Sequence, residues 1–170
     1  MKRHYTLVAV LLLTALSSFA QGTLTRSMDQ KSGKEILIGP CYRETLLTVD
    51  FAADYNSEYG SYIVDTAIIN KLKGKAEGFV CTTVLGTWCG DSKEQVPRFL
   101  KIADKLVPGF AGIKFICVDR DKKAGDLDIS GLKVEKVPTF IFTKDGVEVG
   151  RIIETPTETL EKDLVNIIGK

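Results

Sequence analysis

Four cysteines, one tryptophan and a single histidine are the chemically distinctive residues of this 170-residue chain. The histidine, His4, falls in an N-terminal stretch that reads as a removable leader, so the working protein is expected to contain none. That excludes Ser-His-Asp and Cys-His nucleophile activation and every His-ligated metal site. What remains is thiol chemistry. Cys89 is the best-placed thiol, in the run Trp88-Cys89-Gly90-Asp91-Ser92 between an apolar segment and an amphipathic one. A cysteine where a strand ends and a helix begins meets unpaired backbone N–H groups and the positive end of the helix dipole. Both favour its thiolate without any imidazole.

The flanking segments supply those elements. Phe79 to Leu85 is an apolar, β-branched run that predicts a buried strand. The stripe Val96, Phe99, Leu100, Ala103 and Leu106 predicts an amphipathic helix ended by Pro108-Gly109. Ile113 to Val118 reads as a second buried strand, and Thr139 to Thr143 with Val147 to Ile153 flank an Asp145-Gly146 hairpin turn. A final helix is expected to open with Thr155 as N-cap, Pro156 and Glu158, burying Leu160, Leu164 and Ile167 or Ile168. Upstream, residues 21–34 read as a flexible segment and Glu35 to Gly39 as a short strand. Leu47, Phe51, Tyr55 and Tyr59 predict one helix over Glu44 to Tyr59, ended by Gly60. Asp65 is the expected N-cap of a short helix through Leu72, with Gly74 beyond its end.

Lys2, Arg3 and His4, the apolar run Leu7 to Leu16 and the small residues of Ser18-Phe19-Ala20 have the form of a secretory signal cleaved near Ala20/Gln21. The apolar run is about half the ~20 residues that a membrane span needs. No cysteine follows the cleavage point, so no lipid anchor is expected there. Export would place the protein in the periplasm or outside the cell, where cysteines can be oxidised. Removing the first twenty residues takes away two bases and no acid, moving the formal charge from +1 to −1. A near-zero charge with no basic run argues against nucleic acid, or a membrane surface after cleavage, as a partner. The segment Asp119 to Asp128 carries four acids, but Ala124 and Ser130 stand where a calcium loop needs Gly and an acid. It reads as a solvated loop, and no metal or other cofactor is expected.

The site resembles that of the thioredoxin superfamily over residues 76–170. Trp88-Cys89-Gly90 matches the first three positions of the family's W-C-G-P-C motif. Pro97 matches the proline of its active-site helix, and Val137-Pro138-Thr139 matches its cis-proline loop. The resemblance implies an α/β fold of thioredoxin-like type, with three α/β/α layers around a central mixed sheet. The expected division is a signal peptide at 1–20, a partly helical N-terminal extension packed on the core at 21–75, and the thioredoxin-like domain at 76–170. It also implies that Cys89 is the nucleophile and Trp88 part of the apolar surface around the sulfur. Gly90 and Asp91 shape the helix start, Pro138 is cis, and the Val137 backbone pairs with an extended substrate chain.

The chain departs from that pattern in three places. Asp91 replaces the motif's proline, Ser92 replaces the second, resolving cysteine, and Thr83 stands where a buried Asp is usual. Ser92 can still donate a hydrogen bond to the thiolate, but a hydroxyl cannot form a disulfide. Cys89 can therefore open a disulfide and form a mixed one, and release must come from elsewhere. The substrate's own second thiol would make the reaction an isomerisation, and a small external thiol would make it a monothiol reduction. A further cysteine of this chain is the third route, and Cys41 is the candidate resolving thiol. Cys81 and Cys117 fall in expected buried strands and read as core residues, with a mutual disulfide as the alternative. The expected function is that of an exported single-cysteine thiol–disulfide oxidoreductase or isomerase. Its partners would be cysteine-containing exported proteins or small thiols, with a redox protein supplying electrons. The alternative is a non-catalytic binding or client-retention module in the same fold.

Overall fold

The computed structural model describes residues 22–169. Six strands form one mixed sheet: β1 (Thr25–Met28), β2 (Glu35–Cys41), β3 (Phe79–Leu85), β4 (Gly112–Cys117), β5 (Thr139–Lys144) and β6 (Val147–Ile153). Their spatial order is β1-β2-β4-β3-β5-β6. Only β3 and β4 run parallel, and the other neighbours are antiparallel. The helices are α1 (Arg43–Leu46), α2 (Phe51–Ser61), α3 (Thr66–Ile69), α4 (Gly90–Ala103) and α5 (Leu160–Ile168). This is the expected thioredoxin-like α/β arrangement.

All five helices contribute to one core on one face of the sheet. The alternation in β3 puts Phe79, Cys81 and Leu85 on that face, beside Phe115 and Cys117 of β4 and Phe140 and Phe142 of β5. The α4 stripe enters this layer. Phe99 is fully buried, its ring 4.8 Å from that of Phe140 and 6.0 Å from that of Phe142. The opposite face is covered at its site end by residues 118–138, which contain one 3-10 turn (Ser130–Leu132). There Val84, Val118, Ala124 and Val137 form a smaller cluster bordered by Trp88 and Cys89. The second face thus carries a loop layer where an α-helix was expected.

Several boundaries differ from the sequence expectations. Residues 25–28 are a strand, paired with β2 from Thr25↔Ile38 to Met28↔Glu35. The turn between them forms because the Asp29 carboxylate accepts the Ser32 N–H at 2.9 Å and Gly33 adopts φ +66°. β2 continues through Pro40 to Cys41 and pairs with β4, so the extension is part of the sheet.

The helix expected over Glu44 to Tyr59 is broken between Leu46 and Phe51. There Leu47 and Thr48 make i→i−3 bonds, and the Thr48 hydroxyl donates to the Thr45 carbonyl at 2.7 Å. Phe51 and Tyr55 keep their core positions, while Leu47 is exposed. Gly60 is the penultimate residue of α2, which ends one residue later at Ser61. Asp65 does cap α3, accepting the Ile68 N–H at 3.0 Å. The last helix starts four residues later than expected. Thr159, immediately before the first core residue Leu160, accepts the Lys162 N–H, whereas Thr157 N–H is held by the buried Asp163.

Candidate functional site

Cys89 is the N-cap of α4. Its backbone is extended, at φ −91° and ψ 130°, and its carbonyl accepts the first helical hydrogen bond, from Lys93 N–H at 3.0 Å. The sulfur is half-buried, and its S–H donates to the Val137 carbonyl at 3.2 Å. The Val137–Pro138 peptide is cis. The structure therefore brings Cys89 together with Val137-Pro138 over a sequence gap of 48 residues. Gly90 is unobstructed: a methyl group added to it would touch nothing within 4 Å. Asp91 lies beside it in the first turn of α4.

Ser92 is fully buried, and its hydroxyl oxygen accepts the Gly86 N–H at 3.2 Å. This bond uses a lone pair of the hydroxyl oxygen and fixes Ser92 against the end of β3, while its O–H stays available as a donor. Thr83, in place of the usual acid, is fully buried with its hydroxyl 3.6 Å from the Cys81 sulfur.

Trp88 is fixed on three sides. Its indole N–H donates to the Val118 carbonyl at 2.8 Å. The Arg120 guanidinium lies over the ring, 4.5 Å from its centroid. On the third side Gly86 has no side chain, and a Cβ there would lie 2.6 Å from Trp88 Cε2. Arg120 is aimed in turn by Asp29, which accepts from its Nε–H at 2.7 Å and its Nη2–H at 2.8 Å. Hydrogen bonds from Arg120 foremost, then from Ser32, hold the Asp29 carboxyl well below the usual carboxylate range. The Arg120 guanidinium is held above its ordinary value mainly by Asp29, and Cys89 is near enough to add to this. A fixed positive charge thus stands over Trp88, the residue before Cys89.

Sequence reasoning did not single out Asp29, Gly86 or Arg120. Asp29 and Arg120 are 91 residues apart, and nothing in their local patterns joins them. A glycine between a buried strand and the sole tryptophan was the one readable signal.

The thioredoxin family model matches residues 66–166. The chain belongs to the thioredoxin family. Among curated thioredoxins, it is 35% identical over 80 residues to "Thioredoxin H-type 1" of Nicotiana tabacum, an alignment covering 46% of this chain and 58% of that protein. It is 32% identical over 82 residues to "Thioredoxin-3, mitochondrial" of Saccharomyces cerevisiae, covering 48% and 59%. The chain thus spans somewhat more than half the length of these thioredoxins. A similar solved structure is thioredoxin O2 of Arabidopsis thaliana in its oxidized state, with TM-score 0.42, 23% identity, and coverage of 60% of this chain and 84% of that one.

The other thioredoxin-domain cysteines have their own neighbours. Cys81 is fully buried, and burial pushes its thiol up to about 12. Cys81 faces Ile113 across the β3–β4 ladder while Cys117 faces Leu85. They are therefore four residues apart along the strands, roughly 13 Å and too far for a disulfide. Cys41, expected in a loop, ends β2, and its sulfur lies 3.3 Å from that of Cys117. The structure joins Cys41 to Cys117 and not to Cys89, because the β2–β4 register carries it into the core. Three acids of 119–128 accept backbone N–H groups: Asp119 from Asp121 and Lys123, Asp128 from Ser130, and Asp126 from the distant Thr23 beside β1.

Proposed function

We propose that this thioredoxin-family protein is an exported thiol–disulfide oxidoreductase or isomerase that works through Cys89 alone. The observation that carries the reading is the isolation of Cys89 at the start of α4. Its bond is to Val137, its would-be resolving position is a buried Ser92 bonded to Gly86, and Cys41 is engaged with Cys117. The leader that motivates export lies in residues 1–20, outside the described residues.

The chemistry follows from these positions. The Cys89 sulfur, as thiolate at the N-terminus of α4, attacks one sulfur of a substrate disulfide. A protein–substrate mixed disulfide forms, and the other substrate sulfur leaves as a thiolate and takes up a proton. That freed thiol can attack a different disulfide of the substrate, or attack the mixed disulfide and regenerate Cys89. Alternatively, one external small thiol attacks the mixed disulfide and a second completes the exchange, so that two small thiols become one small disulfide, the substrate is left with two thiols and Cys89 is regenerated. The extended substrate would lie along Val137 and the apolar rim of Trp88. Partners are accordingly cysteine-containing exported proteins and small thiols. Retention of a client as a stable mixed disulfide is the second reading, favoured by the engagement of Ser92 with Gly86.

Refolding of a scrambled-disulfide protein in a glutathione buffer tests the proposal. The native chain should speed recovery and Cys89→Ser should abolish the gain. Equal recovery with both proteins would overturn it, and a stoichiometric adduct without turnover would favour client retention.

A further inference from the structure

We infer that Cys41 and Cys117 form a disulfide that staples the N-terminal strands to the thioredoxin core. In the β2–β4 ladder Gly39 stands opposite Cys117 and Cys41 opposite Phe115. The two cysteines are thus diagonal neighbours on one sheet face. Gly39 offers no side chain directly across from Cys117, so the cross-strand side chain that meets its sulfur is Cys41. The sulfurs are 3.3 Å apart, and both residues are buried within the main core. Closing the bond requires an approach of about 1.3 Å between them, given the ~2.0 Å length of a disulfide.

The step balances with a small-molecule disulfide as oxidant. Cys41, the marginally more accessible of the two, attacks glutathione disulfide and releases one glutathione thiol. Cys117 then attacks the mixed disulfide, releasing the second glutathione thiol and leaving the protein with one S–S bond. Two protein thiols are oxidised and one glutathione disulfide is reduced, with both thiol protons passing to glutathione. The contact with the Cys41 thiol foremost, and then burial, holds the Cys117 thiol up, and because both sulfurs are closed off from solvent in the folded core the bond should form most readily while the chain folds.

The bond would have two consequences. Residues 41 and 117 lie 76 positions apart, so the cross-link closes a long loop in the unfolded chain. The chain-entropy relation then predicts a folding equilibrium more favourable by on the order of a thousandfold. It would also secure β2 and, through it, the turn carrying Asp29, which aims Arg120 at the site. With Cys81 fully buried, Cys89 would be the one accessible thiol of the folded, oxidised protein.

The test is to refold the reduced full chain in a glutathione redox buffer, quench with acid, unfold in guanidinium so that buried thiols are reached, alkylate the free thiols and map the peptides. The expected product is two hydrogens lighter, carries a Cys41–Cys117 cross-linked peptide and has two alkylated cysteines. The same bond should form in Cys89→Ser, which separates this inference from the reading of Cys89. Guanidinium unfolding should favour the oxidised form over the reduced one, and Cys41→Ser should lose that difference. Four alkylated thiols in the refolded native chain, or a cross-link from Cys41 to Cys89, would overturn the inference.

Discussion

Gly86→Ala provides a sharp structural test of how the site is held. The backbone at Gly86 lies outside the left-handed region, so alanine meets no conformational penalty there. The consequence is purely spatial. The new methyl would stand 2.6 Å from Trp88 Cε2, 2.8 Å from Nε1 and 2.9 Å from Cζ2. If the indole holds its place, the overpacking costs about 1–3 kcal/mol. If the ring swings aside, it forfeits the hydrogen bond to Val118, about 1 kcal/mol, and the stacked guanidinium, about 0.5–1 kcal/mol. Either route costs about 2 kcal/mol, a roughly 30-fold fall in the folding constant and about 4–8 °C in Tm for a chain of this size. Intrinsic fluorescence identifies the route, because Trp88 is the only tryptophan. A shifted emission maximum with faster quenching by iodide means displacement, and native emission with a lowered Tm means strain. Gly90→Ala is the control, since its methyl meets nothing, and its Tm should stay within about 2 °C of native. Native Tm and native emission in Gly86→Ala would refute the described packing of Trp88.

Three further outcomes follow from the same geometry. Arg120→Gln should shift the emission of Trp88 and speed its quenching by iodide, because the guanidinium that covers the ring 4.5 Å from its centroid is lost; steady-state fluorescence checks it. The Asp29 carboxyl lies below its ordinary 3.8 in the folded state, so the stability it contributes is present above about pH 4 and lost as pH falls further. Urea midpoints between pH 5 and pH 2.5 should therefore fall more steeply for the native chain than for Asp29→Asn. Phe99→Ala, which empties the contact with Phe140 and Phe142, should cost about 3–5 kcal/mol by chemical denaturation.

The elements nearest Cys89 were legible because local pattern and tertiary role agree in them. β3 is a largely apolar, β-branched run, the α4 stripe repeats at helical spacing, and Asp145-Gly146 takes the left-handed backbone its hairpin needs, at φ 52° and 78°. The N-terminal region was less legible for the opposite reason. β1 is exposed at all four positions, so burial left no alternation to read, and its strand character comes from pairing with β2. The stripe from Leu47 to Tyr59 is genuine only from Phe51 onward, since Thr48 diverts its hydroxyl to the preceding turn. At the site, the Cys89–Val137 meeting followed from the resemblance, whereas the chain Asp29–Arg120–Trp88 did not. It depends on β2 joining β4, a long-range register that no local spacing encodes. The same register removed Cys41 from contention as the partner of Cys89 and placed it against Cys117.

The central claim is that Cys89 acts without a resolving partner. The most direct measurement is the lifetime of the mixed disulfide formed with a peptide carrying one activated disulfide, followed by acid quenching and intact mass in the absence of added thiol. The account predicts a persistent adduct on Cys89 in the native chain, no adduct in Cys89→Ser, and rapid release in Ser92→Cys, which restores a thiol one helical turn away. Release from the native chain as fast as from Ser92→Cys, or an adduct that survives Cys89→Ser, would contradict it.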